Sequence, residues 1–296
     1  MEPISLFEAH SNYVIGLLFS TDNKILITSG MDKLIKLWSV PDWKLLDVFE
    51  GHENSVNSIS LSSGGALLAS GSTDTTVKLW SFPAGELLHN LQDQKKVVAV
   101  VKISPNGQLI AAASYGGRAK MWKINGADVL ALKTASRNLT ALAFSPNNKY
   151  LATGGLGDNI EIWDIETGEL FQTLVGHKTA ILSIRYIQDG DLLFTMGYEG
   201  TVRYWQTSTW EERHCFNAGS DKLRGAYIPS GDKIAAVVSE GRIQFRNLED
   251  WTMAYDLNVG AKAVNGVALS PDGLWFAVGA ADKKIRIWRY NDLINY

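Results

Sequence analysis

The segment that decides the fold is Ser70-Gly71-Ser72-Thr73-Asp74-Thr75-Thr76-Val77-Lys78-Leu79-Trp80. It follows the apolar run Leu67-Leu68-Ala69 and begins with a polar turn rich in Gly, Ser, Thr and Asp. Val77 and Leu79 then alternate with polar neighbours, and Trp80 ends the pattern. Successive residues of a strand face opposite sides, so this alternation around a polar turn predicts a β-hairpin.

The same unit recurs along the whole chain. An aromatic residue ends each copy, at Trp38, Trp80, Trp122, Trp163, Trp205, Phe245 and Trp288. The successive gaps between these markers are 42, 42, 41, 42, 40 and 43 residues. A period of about 40–45 residues is that of one four-stranded propeller blade. Seven such units use up the 296 residues, so we predict a single domain over residues 1–296.

Short dipeptides within the units point to a family. Gly51-His52, Gly176-His177 and Trp163-Asp164 stand near the ends of strands expected from the period. In these residues the sequence resembles the WD-repeat family, and the resemblance covers all seven units. It implies an all-β, seven-bladed WD-repeat β-propeller with four antiparallel strands per blade. It implies little about chemistry, because one fold serves many functions.

The strand count predicts how the ring closes. Only six segments after a marker resemble a complete fourth strand, and eight residues remain after Trp288. The N-terminal segment has the same spacing to His10 as the segment from Trp43 to Glu50 has to His52. We therefore predict that residues 3–8 form the outer strand of the last blade, which begins near Val264.

Composition excludes several classes of function. The net charge of −3 predicts no strong attraction to nucleic acid or membranes, and 46% hydrophobic residues is ordinary for a soluble domain. A single cysteine, Cys215, fits a reducing compartment. We see no signal peptide, and we expect a cytoplasmic protein, or a nuclear one in a eukaryote. We expect no cofactor and no metal, because no phosphate loop, dinucleotide fingerprint or metal-ligand cluster is present.

The family resemblance implies structural tetrads of His, a hydroxyl residue, an acid and Trp, in which buried polar groups bind one another. The three predicted tetrads are His10, Ser29, Asp32 and Trp38; His52, Ser70, Asp74 and Trp80; and His177, Thr195, Glu199 and Trp205. The other units depart from the pattern: Gly116 and Gly157 stand at the acid position, Phe245 replaces Trp, and Gly260 replaces His. A Ser, a His and an Asp also invite interpretation as a catalytic triad, but their repetition in several units favours a structural role.

The loops that join fourth to first strands and second to third strands meet at one end of the propeller, which we call the top face. In the WD-repeat family this face commonly binds partners. The predicted apolar contacts there are Tyr13, Met31, Tyr115, Leu156 and Tyr198. The predicted cations there are Lys95, Lys96, Arg137, Lys178 and Lys222. The opposite, bottom turns are rich in Asp and Glu, so the chain is expected to be cationic above and anionic below.

These residues predict a non-enzymatic interaction scaffold that binds a protein or peptide partner on its top face. The cations favour an acidic or phosphorylated segment, and the aromatic residues would supply most of the affinity. An interpretation without a binding function is that the apolar residues pack against neighbouring loops and the charged residues are simply solvated. The alternatives are an enzyme at the channel mouth and a weak nucleic-acid binder through the cationic loops. We expect a protein that is monomeric alone or a subunit of a complex.

Overall fold

The computed structural model describes residues 1–92, 94–218, 225–227 and 234–294. In this part of the chain, 28 strands form seven antiparallel sheets of four strands each. The predicted seven-bladed, all-β WD-repeat propeller is therefore confirmed. The single α-helix of the described residues, α1 (Tyr290–Ile294), has five residues, and no helix there is long and apolar enough to cross a membrane.

The chain starts with β1 (Ser5–Glu8), which belongs to the last blade. Blade 1 then contains β2 (Val14–Phe19), β3 (Ile25–Gly30), β4 (Ile35–Ser39) and β5 (Leu45–Phe49). Blade 2 contains β6 (Val56–Leu61), β7 (Leu67–Ser72), β8 (Val77–Ser81) and β9 (Leu87–Leu91). Blade 3 contains β10 (Val98–Ile103), β11 (Leu109–Ser114), β12 (Arg118–Lys123) and β13 (Asp128–Lys133).

The remaining blades follow the same order. Blade 4 contains β14 (Leu139–Phe144), β15 (Tyr150–Gly155), β16 (Asn159–Asp164) and β17 (Leu170–Val175). Blade 5 contains β18 (Ile181–Ile187), β19 (Leu192–Gly197), β20 (Thr201–Gln206) and β21 (Glu211–Asn217). Blade 6 contains β22 (Gly225–Tyr227), β23 (Ile234–Ser239), β24 (Arg242–Asn247) and β25 (Met253–Asn258). Blade 7 contains β26 (Val264–Leu269), β27 (Trp275–Ala280) and β28 (Lys284–Arg289).

The N-terminal strand completes the last blade, as the strand count predicts. Strand β1 pairs antiparallel with β28, with Ser5 opposite Ile287 and Glu8 opposite Lys284. The two ends of the chain thus share one sheet, in the order β1-β28-β27-β26. The pairing gives the outer edge of β28 a partner that no other described strand of blade 7 supplies.

The polar turns between first and second strands repeat one hydrogen-bond pattern. In the turn of blade 3, the Ser104 hydroxyl donates to Asn106 Oδ1 at 2.7 Å and accepts the backbone N–H of Leu109 at 2.9 Å. Equivalent turns begin at Ser20, Ser145 and Ser270. A buried serine thus satisfies its own hydroxyl while it fixes the start of the next strand.

The hydrophobic core is divided among the seams between blades. Seven clusters of buried residues occur in the described part of the chain, and each joins two neighbouring blades. At the seam of blades 7 and 1, for example, Ala277 and Ile287 pack with Phe19 and Trp38. A single blade leaves one apolar face uncovered, so the ring must close before every face is buried.

Side-chain hydrogen bonds also join the first strands of adjacent blades. Asn57 Nδ2 donates to the Val98 carbonyl at 2.9 Å, and Asn265 Nδ2 donates to the Val14 carbonyl at 2.9 Å. The Thr140 hydroxyl reaches the Ile181 carbonyl at 2.6 Å. These bonds tie the first strands of blades 2, 4 and 7 to the first strand of the following blade.

Three tryptophans near the bottom rim occupy a backbone conformation that bulky residues rarely adopt. Trp43, Trp210 and Trp251 have φ values of 57°, 60° and 61°. Each packs on the blade before its own: Trp43 meets Trp275 edge-on with ring centroids 5.5 Å apart, and Trp210 meets Tyr150 at 5.7 Å. The packing across the seam offsets the backbone strain of the left-handed conformation.

Glycines take the same place in other blades. Gly85 and Gly168 also have positive φ, and a Cβ at Gly85 would lie 2.6 Å from the Phe49 ring of the preceding blade. At the bottom rim, the space between two adjacent blades is thus filled in one of two ways. Either a tryptophan packs on the preceding blade, or a large side chain of the preceding blade packs over a glycine.

Candidate functional site

The top face is built by a repeated backbone hydrogen bond. In six blades the residue just before the acid position donates its N–H to the carbonyl of a residue in the preceding loop, at 2.7–3.0 Å. The donor and acceptor pairs are Met31 and Tyr13, Thr73 and Ser55, Tyr115 and Val97, Leu156 and Asn138, Tyr198 and Ala180, and Ala281 and Ala263. This bond holds the two top loops of each of these six blades together.

The five predicted apolar residues of this face are all exposed, and they fall into two separate groups. Tyr115, Leu156 and Tyr198 lie on the consecutive blades 3, 4 and 5 and are 41%, 53% and 53% exposed. Tyr13 and Met31 lie together on blade 1, joined by the repeated backbone bond. Blade 2 separates the two groups, because its equivalent residues are the polar Ser55 and Thr73.

The predicted cations that the structure describes are also exposed. They are Lys95, Lys96, Arg137 and Lys178, while Lys222 lies outside the described residues. A depression of about 450 Å³ between blades 4 and 5 brings Lys178 together with Leu156. Asp158 lines the same depression, and Glu53 is exposed on blade 2, so this face carries acids as well as cations.

Two of the predicted tetrads have the expected geometry. In blade 2, His52 Nδ1 lies 2.7 Å from Asp74 and its Nε2 lies 2.7 Å from the Ser70 hydroxyl, which accepts the indole N–H of Trp80 at 2.9 Å. A carboxylate only accepts hydrogen bonds, so the imidazole Nδ1 must be the donor. Blade 5 repeats this chain with a glutamate in place of the aspartate.

In the blade 5 tetrad, His177 lies between Glu199, at 2.5 Å, and Thr195, at 2.9 Å. The Thr195 hydroxyl accepts the indole N–H of Trp205 at 2.9 Å. The longer Glu side chain is held by two further hydroxyls, those of Thr179 and Thr201. The extra methylene is accommodated because both carboxylate oxygens find donors.

The blade 1 tetrad corrects one residue of the prediction. His10 contacts Asp32 at 2.8 Å and Thr28 at 2.9 Å, and Trp38 donates to Thr28 at 2.9 Å. Ser29 is therefore wrong as the hydroxyl member. Its side chain points to the other face of β3, where it accepts the N–H of Gly16 at 3.2 Å.

The constant spacing between the hydroxyl residue and the Trp of a tetrad identifies Thr28 as the correct residue in blade 1. Thr28 precedes Trp38 by ten residues, as Ser70 precedes Trp80 and Thr195 precedes Trp205. The Ser-Gly dipeptide of the turn is not a reliable guide, because Ser29 stands nine residues before Trp38 whereas Ser70 stands ten before Trp80. A shift of one residue in a strand moves a side chain to the opposite face of the sheet.

None of the four remaining blades has a complete tetrad among its described residues. In blade 4, Glu161 accepts the N–H of Ala135, which stands at the His position, at 3.1 Å. In blade 7, Asp282 pairs with Arg286 at 2.6 Å. In blade 3 the His position holds Gln94, whose buried amide has no hydrogen-bond partner in the described structure. The tetrad is therefore a structural feature whose residues differ from blade to blade.

Electrostatics predict that the blade 5 tetrad loses stability in acid. Burial raises the pKa of Glu199, but hydrogen bonds from Thr179, Thr201 and His177 outweigh burial and lower the pKa to about 2. A carboxyl whose pKa is lower in the folded state stabilises the fold above its unfolded pKa of 4.5 and loses this contribution as pH falls toward 2. We expect Glu199→Gln to lower the melting temperature at pH 7 and to flatten its fall between about pH 4.5 and pH 2.

Melting curves across that pH range measure this effect. Glu169→Gln is the matched control, since Glu169 is exposed in a turn, and it should keep the wild-type slope. A Glu199→Gln slope equal to that of the control would contradict the prediction.

Comparison with known proteins agrees with the fold. A family model described as the IFT122 first beta-propeller matches residues 13–212, and the model of the WD domain, G-beta repeat matches residues 255–289. The chain belongs to the WD-repeat β-propeller family. WD-repeat propellers typically bind proteins or peptides, and they are generally non-enzymatic scaffolds.

Individual related proteins align with only a part of this WD-repeat propeller. It is 27% identical over 86 residues to Autophagy-related protein 16 of Arabidopsis thaliana, which is 29% of this chain and 17% of the relative. It is 33% identical over 66 residues to the Angio-associated migratory cell protein of Homo sapiens, which is 22% of this chain and 15% of the relative. The chain thus covers less than a fifth of the length of these relatives.

Proposed function

We propose that this WD-repeat propeller is a non-enzymatic scaffold that binds a protein or peptide segment on its top face. The observation that carries the proposal is the row formed by Tyr115, Leu156 and Tyr198, three large apolar side chains exposed on consecutive blades. Folding leaves them uncovered, although water around apolar surface is unfavourable. Exposed aromatic side chains of this kind are enriched where a partner covers them.

The charge beside this row favours an acidic or phosphorylated residue in the bound segment. Lys178 shares a depression with Leu156, and Arg137 lies on the loop that leads into blade 4. A carboxylate or phosphate there would pair with the cations while apolar side chains of the same segment cover Tyr115 and Tyr198. Asp158 in the same depression would restrict where the anion can lie, which contributes selectivity.

The proposal is tested with defined peptides. A synthetic library of twelve-residue peptides would carry phosphoserine or glutamate at the centre and varied apolar residues on either side. The best peptide selected by the wild-type protein is then titrated by fluorescence polarisation. We expect Tyr115→Ala/Tyr198→Ala to weaken its binding about tenfold or more, since central aromatic residues dominate interface affinity.

The matched control is Leu87→Ala/Leu170→Ala, which removes two equally exposed apolar side chains from outer strands, each 47% exposed. This control should bind the peptide like the wild type, and Lys178→Glu should mainly slow association. Equal affinity of the two double variants would contradict the top-face site. Retention of single-stranded RNA at about 0.2 M salt in place of any peptide would favour a nucleic-acid binder.

A further inference from the structure

A basic residue stands two places before the Trp marker in five blades, and the five are Lys36, Lys78, Lys120, Arg203 and Arg286. Four of them contact an oxygen of the described structure: the pairs are Lys36 and the Ala9 carbonyl, Lys120 and Asp128, Arg203 and Glu212, and Arg286 and Asp282. Lys78 of blade 2 has no hydrogen bond or ion pair there, although it is only 5% exposed. A buried charged group without a partner is rare in folded proteins and needs an explanation.

Lys78 lines a depression of about 380 Å³ on blade 2. The loop that enters the blade, the hairpin before β8 and the end of β9 form the walls of this depression. Lys78 is paired with Asn90 across β8 and β9, so the two side chains stand on one face of the sheet. Gln92, two residues after Asn90, also lines the depression. A cation and two amides are thus brought together.

Asp74 lines the same depression, but its carboxylate is already used by the blade. Its Oδ2 lies 2.7 Å from Nδ1 of His52 and accepts the backbone N–H of Glu53 at 2.9 Å. Its Oδ1 accepts the backbone N–H of Thr76 at 2.8 Å and the hydroxyl of Thr76 at 2.7 Å. Each oxygen of Asp74 therefore has two donors, and neither of them binds Lys78.

Other polar side chains of the lining make no hydrogen bond within the described structure, and they are Glu53, Thr75, Asn90 and Gln92. Glu53 is exposed and forms no ion pair with Lys78. The depression thus offers one cation, one carboxylate, and amide and hydroxyl groups that both donate and accept. Its volume lies in the range of small-molecule sites, which is about 300–1,000 Å³. A ligand that carries both a negative and a positive charge would satisfy Lys78 and Glu53 together.

We propose that the depression on blade 2 binds a free amino acid, with its α-carboxylate on Lys78 and its α-ammonium on Glu53. The Asn90 amide would donate a second hydrogen bond to the carboxylate, and charge-assisted bonds of this kind are strong. The carboxylates of Glu53 and Asp74 would repel a phosphate group, which carries a charge of about −1.5 to −2. The end of a polypeptide carries only one of the two charges, so a free amino acid fits the lining better than a chain terminus.

Thermal shift of the full chain with each of the twenty common amino acids, at about 5 mM and pH 7, finds the best ligand for isothermal titration. We expect one binding site in the wild type and an affinity at least about tenfold lower in Lys78→Met, since a charged hydrogen bond is lost. Lys36→Met is the matched control at the same place of blade 1. It should bind like the wild type, because Lys36 donates to the Ala9 carbonyl and does not line the depression.

The same two variants test whether Lys78 lacks a partner in the protein alone. Without a ligand, Lys36→Met should lower the melting temperature more than Lys78→Met does, because only Lys36 loses a hydrogen bond. Equal losses would show that Lys78 has a stabilising partner within the fold, which contradicts the site.

Two derivatives of the selected amino acid separate a free molecule from a chain end. The N-acetyl derivative keeps the carboxylate and resembles a polypeptide C-terminus, whereas the α-carboxamide keeps the ammonium and resembles an N-terminus. Each should bind at least about tenfold more weakly than the free amino acid, since one charged hydrogen bond is lost. Equal binding of either derivative would overturn the assignment to a free amino acid.

Glu53→Gln should weaken binding of the free amino acid and leave binding of the N-acetyl derivative unchanged, because only the free molecule has an ammonium. Absence of binding by every amino acid, or equal binding by Lys78→Met and the wild type, would overturn the proposal. Tyr115→Ala/Tyr198→Ala should bind the amino acid like the wild type, which keeps this test independent of the top-face proposal.

Discussion

Deleting residues 1–9 should lower the melting temperature by about 10 °C or more, the largest change that we expect from any small alteration of this chain. The deletion removes β1, so the outer edge of β28 loses its partner. It also removes Phe7, whose ring lies 4.9 Å from that of Trp38 in blade 1, and the Ala9 carbonyl that accepts a hydrogen bond from Lys36.

The expected size follows from these losses. Removal of one large, partly buried side chain with its strand pairing costs on the order of 5 kcal/mol. In a domain of this size each kcal/mol shifts the melting temperature by about 2–4 °C. Thermal unfolding followed by circular dichroism measures the difference. A synthetic peptide of residues 1–10 added in excess should restore part of the stability, since the strand can pair without a covalent link.

Two measurements distinguish the loss of the β1–β28 pairing from the loss of side-chain contacts alone. Phe7→Ala alone should give a smaller decrease than the deletion, because the backbone pairing of β1 with β28 remains. An unchanged melting temperature after the deletion would show that blade 7 is stable with three strands, which contradicts the closure described here.

The second large effect is expected at His52, in the blade 2 tetrad. His52→Leu keeps a similar volume but leaves the Asp74 carboxylate and the Ser70 hydroxyl without their common partner. Removing one partner of a buried hydrogen-bonded group typically costs about 1–3 kcal/mol, and more where a charged group is involved. We expect a loss of stability near that range, measured by urea unfolding at pH 7.

The chain provides a control at the same position of the next blade. Gln94 is 4% exposed, and its amide oxygen and nitrogen have no hydrogen-bond partner in the described structure. Gln94→Leu removes an unsatisfied polar group, so this variant should be as stable as the wild type or more stable. A loss of stability in Gln94→Leu as large as that in His52→Leu would mean that volume and shape, not the tetrad, dominate at this position.

The sequence predicts the blades well because each blade is a local unit. The spacing of Trp38, Trp80 and the later markers depends on hairpins whose turns and alternation lie within about 40 residues. Closure by β1 was also predictable, since only a missing strand had to be counted. These features need no knowledge of how one blade packs on the next.

Contacts between blades and alignments within one turn were harder to predict. Ser29 is the wrong hydroxyl and Thr28 the right one because a difference of one residue decides which side of a strand a hydroxyl occupies. Tyr13 and Met31 are separated from the row of Tyr115, Leu156 and Tyr198 because blade 2 carries the polar Ser55 and Thr73 at the equivalent positions. Lys36 and Lys78 occupy the same place in the repeat, and only the structure shows that the first has a partner and the second has none among the described residues.

The tryptophans of the bottom rim have a consequence for how such a ring can be rearranged. Trp251 needs the ring of Phe194 from the blade before it, whereas Gly126 leaves space for His89. Adjacent blades therefore have complementary surfaces at the bottom rim. A blade moved to another position in the ring would clash with its new neighbour or leave a cavity beside it. Duplication or shuffling of repeats should succeed when two adjacent blades are moved as a pair, because their shared contact is then kept. The order of the blades is therefore more constrained than their similar sequences indicate.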